Sequence, residues 1–444
     1  MNTFRFLFLA STMCVTLAAS DAAYAQAAPT PSAEELLGTV EVDGSAGLNL
    51  PPLPKLAIVP LPSLTLESSQ LSLVVRRDLE LSGQFQVLDA NSSPPGPFMR
   101  ERPLDLGAFA EKGAEYIVQT YVDTKPTGMV LVAEAFLPPK PGTPNSGAAP
   151  TPVYRKEIDT APTRVRASAH KLVDELLGGL TGRLGGFASK LTYAARIGNW
   201  RKAYVLDADG FGLQGQGPDT SMVLSPSFGP EGRLFYALSR NYSPFRLATG
   251  ANGAMLDIAL PGSMLGLTFS PDADRMLMTI MTNGRSSLWA GENGLFKALD
   301  AAPNANHPAI GPSGHIAYAG GDKIQRIYVD GRPVSPPGLM ASAPVFCDTA
   351  EGLLVLFSVQ VAGGTDLVSM DTKGQSLRRL TQRRGANSYP ACSPDGRMVA
   401  FFSNNPGKEG SGLFVAPVAR PWLAKRISAE MGESLQWARA GANR

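Results

Sequence analysis

The chain has 444 residues, of which 46 are Gly and 37 are Pro, nearly a fifth in two types that make up about 12% of an average protein. Hydrophobic residues at 44% exclude a disordered chain, and 40 basic against 38 acidic residues leave a net charge of +2, without the basic stripe of a nucleic-acid binder. Three His and three Cys leave little for metal or thiol chemistry, and so many helix breakers favour short strands and turns.

Residues 1–25 read as an export signal: Arg5, a mostly apolar run from Phe6 to Ala19, then the small-x-small cleavage pattern Ala23-Tyr24-Ala25. The run is shorter than the roughly 20 apolar residues that cross a bilayer, so no membrane span is expected. Cys14 lies inside the run and not at the cleavage point, which argues against a lipid anchor. Residues 26–54, rich in Ala, Pro, Ser and Gly, read as a mobile arm able to order on binding. The exported chain keeps Cys347 and Cys392. An oxidising compartment permits a bridge. Each falls at a strand start of neighbouring repeats, however, shifted by one position. That shift turns the side chains to opposite faces, so two small buried hydrophobes are expected instead of a disulfide.

Residues 55–195 alternate strands and helices. Leu56-Ala57-Ile58-Val59 is a short buried strand, and residues 67–81 place Leu71, Val74, Val75 and Leu79 at helical spacing, with Ser82-Gly83 as the stop. Phe85–Leu88 is a strand, Leu106–Lys112 a helix, and Tyr116-Ile117-Val118 a strand. Strands at 129–136 and 153–158 flank a Pro-rich loop, Pro138–Pro152, and residues 163–177 form an amphipathic helix. The pattern predicts a compact α/β domain.

From residue 196 to 444 helices disappear and one motif returns: a small residue or Pro, two more residues, a Ser/Gly-Pro-acidic-Gly-like turn, then an apolar strand. Its starts are Pro226, Leu267, Pro308, Pro344, Pro390 and a truncated sixth at Leu435; Pro390-Ala-Cys-Ser-Pro-Asp-Gly396 is the clearest copy. Spacings near 40 residues with several strands each mark propeller blades. Five starts are followed by an outer hairpin, and a sixth pair, from Ala203 onward, precedes the first start. The fold expected is therefore an α/β domain followed by a six-bladed β-propeller, closed by strands from both ends of the propeller segment.

Enzyme signatures are thin. Gly210-Phe-Gly212-Leu-Gln-Gly215 matches a dinucleotide fingerprint but runs into Gly217-Pro218 instead of a helix. No G-x-S-x-G elbow occurs. His307 and His315 have no nearby ligand set, His170 reads as a solvated helix residue, and Asp207-Ala-Asp-Gly210 reads as a type I′ hairpin turn. No catalytic residue, metal or cofactor is expected. What remains is recognition by the loops that enter the inner strands. These are small and amide-rich, with Met, Tyr and His: Ser263–Gly266, Asn304–His307, Met340–Ala343, Asn387–Tyr389 and Gly432–Ser434.

Across residues 38–438 the chain resembles the TolB family of the Tol-Pal system. The likeness rests on Ile58-Val59-Pro60, Asp78-Leu79 with Ser82-Gly83-Gln84-Phe85, Leu180-Thr181-Gly182 with Gly186-Phe187, Tyr193, Asp207-Ala-Asp209-Gly210 and the Ser393-Pro-Asp-Gly396 turn. The resemblance implies a monomeric, non-enzymatic periplasmic scaffold that supports outer-membrane integrity and envelope constriction during division. It implies docking of the peptidoglycan-associated lipoprotein Pal at one propeller mouth, and engagement of the inner-membrane protein TolA by the N-terminal arm. By motif position the partner-facing residues would be Ser263, Gly266, Asn304, Asn306 and His307, with Asn387 and Tyr389 extended to another blade. The other class left open is a periplasmic propeller enzyme, or a glycan- or peptide-binding protein, acting in the central channel.

Overall fold

The first strand the sequence announces, β1 (Lys55–Ile58), is buried beyond its first residue and sits between two parallel neighbours, β2 (Gln86–Val87) and β3 (Tyr116–Lys125). A computed structural model describes residues 33–37 and 50–438 except positions 60, 63, 64, 95–97, 100, 101, 127, 141–149, 293, 383, 384, 405, 406 and 408. The expected export signal, most of the arm and the middle of the Pro138–Pro152 loop lie outside the described residues. Where the arm is described, Ala33–Leu37 is a short helix, α1, whose Leu36 and Leu37 pack on the propeller. There the expected mobile chain is instead held by apolar contact.

The α/β sheet continues from β3 through antiparallel β4 (Gly128–Phe136) and β5 (Tyr154–Thr160). Helix α2 (Leu66–Leu81) starts at Thr65, whose hydroxyl accepts from Ser68 N at 3.1 Å, and buries the predicted Leu71, Val74, Val75 and Leu79. Helix α3 (Leu106–Glu111) is capped by Asp105, and α4 (Val165–Thr181) ends on Gly182 at φ 76.

Six four-stranded antiparallel sheets form the propeller. Their inner strands, in order blades 1 to 6, are Met222–Phe228, Ser263–Phe269, Asn306–Ile310, Ala341–Thr349, Asn387–Cys392 and Glu433–Trp437. These are the six repeat starts read from the sequence. Blade 6 joins Glu433–Trp437 to β6 (Lys190–Ile197), β7 (Trp200–Asp207) and β8 (Gln214–Gln216). The expected domain boundary at 195/196 therefore falls inside β6, and the propeller begins at Lys190. The run Leu191–Ala195 is buried between two strand neighbours, one of them from the far end of the chain. That partner is invisible locally.

The two cysteines are bonded: Cys347 and Cys392 form a disulfide with a Cα separation of 5.4 Å. The alternation argument was sound within one sheet and failed between sheets. Successive blades stack with opposite faces meeting, so a one-position shift aims the residues at each other. Phe346 packs toward blade 3 while Cys347 joins the cluster between blades 4 and 5, where Cys392 also lies.

One apolar core spans both domains. It runs from Leu71, Val75 and Leu172 in the helices through Phe187 and Leu191 to Met398, Phe402 and Leu413 of blade 5. The hairpin turn after β7 closes this contact with charge. His170, expected in solvent, is 3% exposed, and its Nδ1 lies 2.6 Å from Asp78 Oδ2. Its Nε2 is 3.8 Å from Asp207, an ion-pair distance, and Asp207 accepts from Lys190 at 2.7 Å and Arg166 at 2.8 Å. Arg166 pairs with Asp209 as well, and Arg77 donates to the Asp209 carbonyl. Asp78, Asp207 and Asp209 thus meet His170, Arg166 and Lys190 at the domain junction, and Arg166 bridges it. Burial opposes a charge on His170, but Asp78 and Asp207 outweigh it and raise its pKa from 6.5 to about 10. Gly210 sits at φ 93, and a side chain there would strike the Ile427 carbonyl. Ala208 and Asp209 stay out of the left-handed region, so the turn is type I and not the expected I′.

Two outcomes follow. Replacing both cysteines by Ala should cost about 2–4 kcal/mol in denaturant unfolding, because the bridge closes a 45-residue separation; an unchanged midpoint would contradict this. His170→Ala leaves Asp78 buried and unpaired, at about 3–5 kcal/mol. Because the folded pKa of His170 is raised, its contribution is full below pH 6.5 and fades as pH climbs toward about 10. Melting curves of variant and parent should therefore converge over that range.

Candidate functional site

Near the start of every inner strand one extra residue interrupts the ladder: Ser225, Leu265, His307, Ala343, Tyr389 and Ser434 in blades 1 to 6. In five of them φ is positive, between 46 and 55. Such a backbone costs a non-glycine residue about 1–2 kcal/mol and persists only where its surroundings impose it. Pro226, Pro308, Pro344 and Pro390 follow directly. A proline has no N–H for a ladder and is tolerated in a strand at such a bulge. The prolines that marked the repeats mark the bulges.

All six bulge residues line one cavity of about 450 Å³ along the propeller axis. The bulges lie at the end where the inner strands begin. The α/β domain covers the other end: Arg397, after the blade 5 turn, donates to Thr181 Oγ1 and to the Arg183 carbonyl, both at 2.8 Å. The bulged end is the open mouth. Across the channel, Ser225 Oγ donates to the Leu265 carbonyl and Gln436 Nε2 to the Leu267 carbonyl, each at 3.0 Å.

The expected site residues divide. Gly266, Asn306, His307 and Tyr389 line the cavity together. Gly266 is required there, since a Cβ would come within 2.8 Å of Thr279 Oγ1. Asn306 Nδ2 donates to the Asn304 carbonyl at 2.9 Å, and its Oδ1 is buried without a partner. The His307 ring is part-exposed at the wall, but its Nδ1 is enclosed and unpaired. Burial lowers its pKa from 6.5 to about 4, so the ring is neutral at pH 7. Tyr389 stands edge-on to His307 with ring centres 6.1 Å apart. Ser263 and Asn304 lie outside this lining. Ser263 Oγ accepts from Phe245 N at 2.9 Å, and Asn304 holds a turn at φ 53 near Asp322.

Asn387 is a correction. It is 1% exposed and its amide donates to the Thr365 carbonyl and Asp366 Oδ1, both at 3.3 Å, beside the fully buried Arg379–Asp366 pair. Its side chain is turned into the junction of blades 4 and 5. Sequence reasoning missed Ser225 as a wall residue, although Pro226 after it was the available signal; Ala343 and Ser434 fell in segments it placed at the mouth without naming them as partner-facing. A second cluster, Asp78, His170 and Asp209, brings three ligand-type atoms within 4.8 Å. Those groups are already engaged with one another, with Arg166 and with Asp207.

Residues 49–137 match the family model of the TolB amino-terminal domain. The fold is similar to TolB from Acinetobacter baumannii with a TM-score of 0.66 and 19% identity, over 87% of this chain and 97% of that one. The chain has a TolB-like fold. A protein assigned as TolB in Agrobacterium tumefaciens aligns at 13% identity and TM-score 0.43, over 54% of this chain and 87% of that one. Among the described residues of the TolB-like protein no helix is long and apolar enough to cross a membrane.

In an NMR titration the His307 imidazole should remain neutral down to pH 5 and titrate near 4, while His170 stays protonated through neutrality. For His307 the folded pKa is depressed, so its contribution to stability is full above 6.5 and declines as pH falls toward 4. A His307 midpoint at 6 or above would contradict the enclosure of Nδ1.

Proposed function

We propose that this TolB-like protein is a periplasmic scaffold of a Tol-Pal-like system. It docks a peptidoglycan-associated lipoprotein at the propeller mouth, and its N-terminal arm engages a TolA-like inner-membrane protein. In that role it supports outer-membrane integrity and envelope constriction during division. The observation that carries the reading is the open mouth itself, where Asn306, His307 and Tyr389, all part-exposed, line one cavity. Amide, imidazole and phenol groups around a concave wall suit a polar protein interface with aromatic anchors.

Binding fits the wall better than bond-making does. Its ionisable side chains are His307, Tyr389 and Asp348. His307 sits at the bulge of its inner strand, whereas Asp348 lies near the domain-side end of Ala341–Thr349. No acid–base pair is thereby assembled.

The test is affinity measured by calorimetry between the purified protein and the lipoprotein encoded by the same genome, without its lipid. Asn306→Ala combined with His307→Ala should weaken binding by about 30-fold, the loss of a hot spot near 2 kcal/mol, with an unchanged melting temperature. No binding by the parent protein, or equal binding by the variant, would count decisively against the reading.

A further inference from the structure

We propose that the mouth extends outward over blades 6 and 1 as a basic aromatic rim, built by Trp200, Tyr242, Arg196 and Arg240, that takes an acidic surface of the protein bound there. The inference rests on the mouth being the docking end and adds the chemistry of the partner. β6 and Leu234–Ser239 both run toward the mouth, antiparallel to their inner strands. The turns that follow them, at 198–199 and 240–245, therefore stand beside each other on that face.

The blade 1 turn is shaped to display a ring. Asn241 and Tyr242 are consecutive residues in the left-handed region, at φ 51 and 58, a conformation that needs support from outside the residue. That support is present. Ser243 N donates to the Arg240 carbonyl at 3.0 Å, and the Arg240 guanidinium donates to the carbonyls of Asn252 and Gly253 at 3.2 and 3.0 Å. The result leaves Tyr242 85% exposed, with its ring centre 6.3 Å from that of Trp200. A large ring held in water by a strained, anchored turn contributes nothing to the core, and aromatic rings with arginines are the usual anchors of an interface.

Charge identifies the occupant. Arg196 is exposed and its Nε donates only to the Gly198 carbonyl at 2.8 Å, while Arg240 is spent on carbonyls. Neither forms an ion pair among the described residues. The carboxylates at this rim are occupied: Glu433 by Arg201 at 2.8 Å and Asp219 by Lys202. Glu430, on the approach to Glu433, and exposed Asp257, before the inner strand of blade 2, are the exceptions, set against Arg196, Arg240 and Arg246, whose Nη1 donates to the Gly262 carbonyl at 2.7 Å. Arg201 follows Trp200 in sequence, and Glu433 precedes the cavity residue Ser434. The rim and the channel wall are therefore continuous, and the rim's uncompensated charge is positive. Such a rim steers an acidic partner toward the mouth.

The test uses the full chain in stopped-flow and equilibrium binding to the lipid-free lipoprotein, over 20–200 mM salt. Tyr242→Ala should weaken binding about 10-fold. Arg196→Gln with Arg240→Gln should slow association several-fold at low salt and flatten its salt dependence, which the Asn306→Ala, His307→Ala variant retains. Rim variants that match the parent in affinity, rate and salt slope overturn the proposal. A parent that fails to bind the lipoprotein defeats the mouth reading instead. In that case a fluorescent Glu-Glu-Trp repeat peptide decides the rim. Binding that the rim variants lose supports it, and equal binding or none overturns it.

Discussion

The pairing of Glu433–Trp437 with Lys190–Ile197 holds the molecule together in its present form. It joins the last described strand to the first strand of the propeller, so that the sixth blade is completed and the ring closes. Ala438 N donates to the Lys190 carbonyl at 2.7 Å, and Trp437 Nε1 donates to Ser189 Oγ at 2.7 Å, fastening the seam at the segment that leads out of the α/β domain. Every inner strand takes its angle around the axis from this closure. The wall of the channel exists only once the ring is shut.

The same region joins the two domains. Asp174, on α4, accepts from Phe187 N at 2.7 Å and Ala188 N at 2.8 Å, which fixes the connection just before the closing blade. Next to it the apolar core passes without a break from helix to blade, and the His170 network adds ions that are enclosed and mutually compensated. Such a junction behaves as one body more than as two domains on a tether. The mouth at the far end is thus presented by a rigid support, which is what strained bulges and a displayed tyrosine require.

How much was legible in the sequence depended on distance along the chain. The blade count came through because Ser393-Pro-Asp-Gly396 and its weaker copies make their own turns: Ser393 Oγ accepts from Met398 N, and Asp395 from Arg397 N, all within five residues. Helix α2 announced its buried face by spacing alone. What failed needed a partner from elsewhere. His170 sits among Arg166 and Lys171 in sequence and looks solvated; Asp78 and Asp207, which enclose it, are 92 and 37 residues away. The domain boundary fell inside β6 because the strand's inner neighbour, Glu433–Trp437, lies at the other end of the propeller segment. Asn387 was placed at the mouth by its position before a repeat start, but its amide serves the buried charge of Asp366. The polar character of a loop tip does not say which way a side chain turns.

The prolines of the inner strands have one more consequence. A propeller's innermost strands present a free backbone edge to the channel, and such edges invite another chain to add on as a strand. Here the register breaks in every blade where the mouth opens, and in four of them Pro226, Pro308, Pro344 or Pro390 supplies no N–H at the break. A visiting segment cannot zip along a donor row interrupted at its first step. The channel therefore reads what enters it by side chains and shape, and is guarded against the indiscriminate backbone pairing that would make it sticky.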